Sequence, residues 1–294
     1  MKCGVRFILC MAAVGFTTAV LLWKYIADFS DQYGAVEYLE TSLRHLIWEQ
    51  ADQQLPTGSK QGDKVVVMAK MEAEDTQWVA DELPDWQRAI YTVDSAHPGA
   101  DLLTTPLNKG HESMAYLTYI IEHYTALPST IAFLHSHRNG FFEAWHVDTP
   151  MHDNVAAMRA LQLEYVQENG YVNLRCNWNP GCLPGHRRNS HVTKGVWQEV
   201  FNGTTTNEKG DGDGDGVVEP TSRVEDRDKA RLVPMEVGAA CCAQFAVSRQ
   251  QVLNRPLDDY VMMRNWIIET DKDDAHSGRV MEFLWHVIFG KDAI

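Results

Sequence analysis

Residues Thr130 to Leu134 (Thr-Ile-Ala-Phe-Leu) limit the possible fold more than any other stretch of the chain. They lack the every-other-residue alternation of a half-solvated strand, so a strand here must be covered on both faces. Helical layers supply such cover. Strands are expected over residues 65–69, 89–93, 131–134 and 171–174, alternating with helices over 75–83, 110–124 and 155–166. Order is expected again from 236 to 247, followed by helices over 257–269 and 278–289. This alternation predicts an α/β domain with a mostly parallel sheet flanked by helices.

The buried strand runs straight into His135-Ser136-His137-Arg138, and Trp145-His146-Val147-Asp148 follows shortly after. In open α/β sheets the carboxyl edge of the strands is where ligands bind. Strand alternation carried one step further puts His135 and His137 on one face, as chelation requires. With His146 and Asp148 they offer imidazole and carboxylate donors, a set that suits Mn, Zn, Fe or Co better than Ca or Mg. The competing reading is structural: histidines at a strand end that hydrogen-bond to nearby backbone.

Lys2 and Arg6 precede an uncharged run from Phe7 to Trp23, closed by Lys24. That run is long enough to cross a thin bilayer. The bulky residues that follow, Leu22 to Ile26, favour an uncleaved signal anchor over a cleaved signal peptide. The expected layout is a cytosolic tail at 1–6, one transmembrane helix at 7–24, a stem at 25–63 and a luminal body at 64–290. Such a single-pass protein belongs in the secretory pathway, the ER or Golgi. Residues 202–230, rich in Thr, Gly and Asp, read as a solvated insertion without a fixed fold.

The acidic balance, 26 Lys and Arg against 40 Asp and Glu for a net charge of −14, argues against nucleic acid as a partner. In an oxidising lumen Cys176, Cys182, Cys241 and Cys242 are disulfide candidates with three possible connectivities; a zinc site is the rival reading. Asn202-Gly203-Thr204 is an N-glycosylation sequon. Asp211 to Gly216 matches the first half of a calcium loop, but Ser222 stands where a bidentate Glu is needed.

Two further places hold candidate chemistry. The last expected helix is apolar almost all round yet carries Glu282 and His286 one turn apart, so both need partners. Asn108 and Lys109 precede an amphipathic helix, and its free backbone donors with the lysine would suit a phosphate. An ordinary capped helix with a surface lysine is the plainer alternative.

Several ordered motifs carry a resemblance: Glu74-Asp75-Thr76-Gln77-Trp78, Leu107 to Glu112, Phe133 to His137 with Trp145-His146, Tyr171 to Cys176, residues 238–247, and Glu282 with Leu284 to Gly290. Together they resemble a largely fungal family known as domain of unknown function 3431, over residues 64 to 290. The arrangement is more distantly similar to glycosyltransferases of the nucleotide-sugar-binding A type. Those enzymes place metal-binding Asp residues where this chain has His135 and His137, and many are Golgi proteins with a short tail, one anchor, a stem and a luminal catalytic domain.

That resemblance implies a membrane-anchored luminal enzyme acting on a nucleotide sugar and a glycan acceptor. Asn108 and Lys109 would hold a diphosphate, His135, His137 and His146 a divalent metal (Mn or Zn), and Asp148, Glu282 or His286 would do the proton chemistry. A metal-dependent hydrolase or oxidase and a non-catalytic luminal domain are the alternatives.

Overall fold

The computed structural model describes residues 2–47, 62–95, 102–177, 179, 182, 200, 237–240 and 242–293. Its elements are α1 (Lys2–Gln32), α2 (Ala35–Ile47), β1 (Lys64–Lys70), α3 (Gln77–Glu82), β2 (Gln87–Thr92), β3 (Leu103–Thr104), α4 (Ser113–His123) and β4 (Thr130–Leu134). They continue with α5 (Asn154–Ala160), α6 (Leu163–Asn169), β5 (Tyr171–Asn173), β6 (Phe245–Ser248), α7 (Arg249–Leu253), α8 (Leu257–Glu269) and α9 (Asp274–Ile288). The expected helix over 155–166 is two short helices. Asp153 caps the first by accepting from the Val155 and Ala156 amides, and the chain turns extended at Leu161.

The strands form one six-stranded sheet in the order β3-β2-β1-β4-β6-β5. It is mixed, and the expectation of a mostly parallel sheet is corrected here. β1 pairs in parallel with β2 and β4, and β2 with β3, whereas β6 is antiparallel to both β4 and β5. Strand and helix alternation implies parallel pairing only while each crossover returns the chain to the opposite edge of the sheet. After β5 the chain re-enters β6 from the edge where β5 ended, which reverses β6. That reversal brings Cys242 to Gln244 beside the end of β4, where Phe133 is in register with Phe245.

All five residues of β4 are buried, as their composition requires. On one face Ile131 and Phe133 join Val65, Val67, Tyr91, Phe245 and Val247 beneath α4, α8 and α9. On the other, Ala132 and Leu134 join Val66 and Met68 beneath Trp78, Val79 and Leu83 of the α3 region and Val155 and Met158 of α5. The sheet is therefore the middle of three layers.

One helix, over Cys10–Gln32, is long and apolar enough to cross a membrane by length and composition. Within the expected stem, α1 continues to Gln32 and α2 follows, and Phe29, Tyr33, Tyr38 and Ser42 contact the body. Arg175, almost fully buried, donates to the carbonyls of Gln32, Trp145 and Asn179 and stacks 4.6 Å from the Trp145 ring. Asn177 and Asn179 donate to Asp31 and Asp28 at the same helix end. Phe29 and Tyr33 pack among Phe141, Phe142 and Trp145 to close this collar. The rest of the expected stem and the expected insertion at 202–230 lie outside the described residues.

Candidate functional site

The chain leaves β1 for β2 on one side and later places β4 on the other, so the connections diverge between the ends of β1 and β4. A crevice forms at such a switch point. Here it is a cleft of about 280 Å³, lined from β1 by Lys70, Met71 and Glu74, from β4 by His135, Ser136 and His137, and from the α4 entry by Asn108, His111 and Glu112. Asp274 at the start of α9 completes the wall.

His135 lies at the most enclosed part of this cleft. Its amide donates to Gln244 Oε1 (2.7 Å), while Gln244 Nε2 donates to Asn154 Oδ1 (3.0 Å) and reaches the His146 carbonyl (3.3 Å). The buried glutamine thus ties β6, β4 and α5 into one support. The His135 imidazole bonds the Cys242 carbonyl and lies 4.2 Å from the His146 ring, tilted 45° to it. Among the described residues its Nε2 has no hydrogen-bond partner, and it is 4.0 Å from Glu112 Oε1. Burial lowers the His135 pKa to about 4, opposed by the Cys242 bond, so the ring is neutral at neutral pH. Burial also holds His146 well below the usual histidine value.

Glu112 stands at the N-cap of α4 with its side chain 13% exposed. Burial pushes its carboxyl up to about 7, against the pull of its own backbone, His111 and Arg279. Glu282 on α9 is also pushed up to about 7 by burial, in part offset by Arg279, which donates to it at 2.6 Å; the charge of Glu112 adds to the rise. Two carboxyls that repel each other in a poorly hydrated place titrate as a pair, and the pair stands near neutrality.

The outer wall is made of exposed pairs. His137 Nε2 is 3.4 Å from Glu74, which accepts from the Met71 amide, and His111 Nε2 is 3.1 Å from Asp274. The turn into α4 depends on two glycines. Gly110 takes φ +78 and a Cβ there would meet Ile267 at 2.6 Å, while a Cβ on Gly278 would lie 2.9 Å from the His111 ring.

Among the sequence-derived candidates, His135, His137 and Asn108 line the cleft, and His146 packs against His135 at a tilt. His135 and His137 lie past the end of β4, so strand alternation does not order them and they turn to Glu112 and Glu74. Among the described residues no group of three His, Cys, Asp or Glu is placed to hold a metal ion. Lys109 points away: its Nζ donates to the carbonyls of Ile268 and Thr270 at the end of α8. The helix behind it begins at Ser113, because Gly110 and His111 take positive φ. Asp148 accepts from the amides of Cys176 and Asn177 in the collar. His286 reaches the Ala293 carbonyl at 3.4 Å, with burial lowering its pKa. Cys176 is an exposed thiol, Cys182 is half-buried and Cys242 is disulfide-bonded; Cys241 and Asn202 lie outside the described residues. Glu112, Glu74 and Gln244 were not singled out by chemistry, although each falls in a motif quoted above.

No curated protein and no solved structure matches the chain significantly. A family model described as "Protein of unknown function (DUF3431)" matches residues 66–294, a span that holds almost the whole sheet, every helix from α3 to α9 and all the groups that line the cleft. The chain therefore belongs to the DUF3431 family of proteins of unknown function.

Proposed function

We propose that the cleft is the active site of a membrane-anchored, glycosyltransferase-like enzyme in which Glu112 is the general base. One observation carries this reading: a carboxyl raised to about 7 faces the unpartnered Nε2 of a neutral histidine at the switch point of the sheet. A base of that pKa is half ionised at neutral pH, which suits proton removal from an acceptor hydroxyl. Neutral His135, whose other ring nitrogen donates to the Cys242 carbonyl, can accept a hydrogen bond from a second hydroxyl of the acceptor, which leaves the reacting hydroxyl to give its proton to Glu112. Burial keeps both carboxyls high, and the charge of Glu112 adds to the rise at Glu282.

The donor is a nucleotide sugar and the acceptor a glycan. Lys70, His111 and His137, which line the cleft with Asn108, would hold the diphosphate in place of Lys109. A divalent ion, Mn or Zn, enters this reading together with the substrate's diphosphate. α1 anchors the chain as a single-pass protein of the secretory pathway, with the basic N-terminus cytosolic and the body luminal.

The test is turnover and binding of a panel of nucleotide-diphosphate sugars, with and without Mn, by the full-length chain in detergent. The expected outcome is saturable binding and sugar release that falls at least about hundredfold in Glu112→Gln with the fold retained. Wild-type protein that neither binds nor turns over any member of the panel contradicts the reading.

A further inference from the structure

The chain enters β6 through a turn of uncommon shape. Cys242 has φ +99 and Ala243 φ +50, two consecutive residues with a Cβ on the left-handed side of the map. Such a conformation is rare outside glycine and persists only where the surroundings over-determine it. Both residues are buried.

Cys242 alone reaches both sides of the cleft. Its carbonyl accepts from the His135 imidazole at the end of β4, and its amide donates to the Glu282 carboxyl on α9. Two residues on, Gln244 holds the His135 amide with its side chain and the Leu174 amide with its carbonyl, which fixes the turn on its β6 side. A covalent bond acts at Cys242 itself, which is disulfide-bonded. Three of the six cysteines, Cys10, Cys176 and Cys182, are free thiols, so the chain has room for this one disulfide. The directions in which a residue's amide and carbonyl point are set by its φ and ψ, and relaxation of Cys242 to negative φ turns them away from their partners.

We propose that Cys242 is a positioning residue of the cleft: its disulfide holds the backbone left-handed, and in that shape its carbonyl orients the His135 ring while its amide holds Glu282. The acid-base role of the groups so placed rests on the reading given above. Reduction undoes the arrangement. A dithiol gives two electrons and two protons to the disulfide, which becomes two thiols, and is itself oxidised to a cyclic disulfide. His135 then loses the acceptor that fixes its proton on Nδ1, and Glu282 loses a donor to its charged form, which raises its carboxyl further. The other ionisable groups that act on the two, Glu74, His111, Glu112, His137, His146 and Arg279, keep their chemistry on reduction.

The experiment reads the ring nitrogens of His135 by nitrogen NMR of the full chain in detergent, labelled at histidine and assigned by loss of the signal in His135→Gln. Oxidised wild type is compared with wild type reduced by dithiothreitol, with Cys242→Ala and with Cys242→Gly. Glycine takes positive φ readily, so it recovers the shape without the bond. Support is a ring protonated on Nδ1 in oxidised wild type, mixed tautomers with turnover lower by at least about tenfold in the reduced and alanine samples, and recovery of both in the glycine variant. A ring signal that reduction leaves unchanged overturns the proposal. A glycine variant as altered as the alanine variant, both with wild-type circular dichroism, overturns it as well, because the bond then acts by a route other than the backbone. Loss of the fold in every sample without the disulfide also overturns it, since the bond is then a general brace. Absence of nucleotide-sugar turnover in all samples, with a ring that still responds to reduction as expected, supports the positioning and sinks the glycosyltransferase reading alone.

Discussion

The cleft at the ends of β1 and β4 and the collar at the end of α1 both withdraw ionisable side chains from water, and they satisfy them to different degrees: of the Arg175 guanidinium in the collar only Nε lacks a partner among the described residues. In the collar the Arg175 guanidinium donates to three carbonyls and stacks on Trp145, and Asp148 accepts from two amides. These charges hold α1 and the 145–149 loop in place. In the cleft, Glu112 is raised to about 7, His135 is lowered to about 4, and His135 Nε2 has no partner. A buried group that satisfies its neighbours is part of the framework, whereas one left unsatisfied costs stability and is retained where it does chemistry.

The largest effect expected is on activity. Glu112→Gln lowers turnover about 10² to 10⁴-fold, while Asp148→Asn, also a carboxylate but committed to the collar, leaves kcat within about twofold. Steady-state kinetics on both variants checks this; equal losses in the two would erase the distinction between cleft and collar.

Arg175→Met should act on the fold and spare the chemistry. Leaving the carbonyls of Gln32, Trp145 and Asn179 without their donor costs about 2 to 4 kcal/mol, read as a lower denaturation midpoint, with the pH dependence of turnover unchanged.

Stability against pH separates the regions again. The raised pKa of Glu112 stabilises the fold below the unfolded carboxyl value of about 4.5, and that contribution is lost as pH rises through about 7. His135, depressed to about 4, contributes stability above its unfolded value of about 6.5 that is lost as pH falls through about 4. Glu112→Gln is therefore expected to be more stable than wild type at pH 8, by on the order of 2 kcal/mol, with the gain vanishing near pH 4.5. Thermal melts at the two pH values measure it.

The smallest effect belongs to Lys109→Met. Losing a lysine from the carbonyls at the end of α8 costs about 1 kcal/mol and leaves nucleotide affinity within about twofold. A tenfold loss of affinity, measured by calorimetry, would return Lys109 to the cleft.

The sequence revealed the centre of this fold because Thr130 to Leu134 can be satisfied only between two layers, and the strand leads directly to His135. The burial of α9 was legible in its nearly continuous apolar character. Glu112 was not, since a glutamate at a helix start usually complements the helix dipole in water. A wall of its surroundings comes from a remote part of the chain, α9, whose Asp274 and Arg279 act on it from more than 150 residues away. Lys109 misled for a local reason, since positive φ at Gly110 and His111 delays the helix and turns the lysine toward α8. The reversal of β6 left no mark in the pattern, because the alternation of strands and helices does not say from which edge of the sheet a strand is entered.

The claim that the cleft is an acid-base site is tested most directly by infrared difference spectroscopy of the full chain titrated from pH 4 to 9, wild type against Glu112→Gln. The account predicts a carboxyl band with a midpoint near 7 that the substitution removes. A difference spectrum in which the only carboxyl lost titrates in the ordinary range, about 4 to 5, would contradict it.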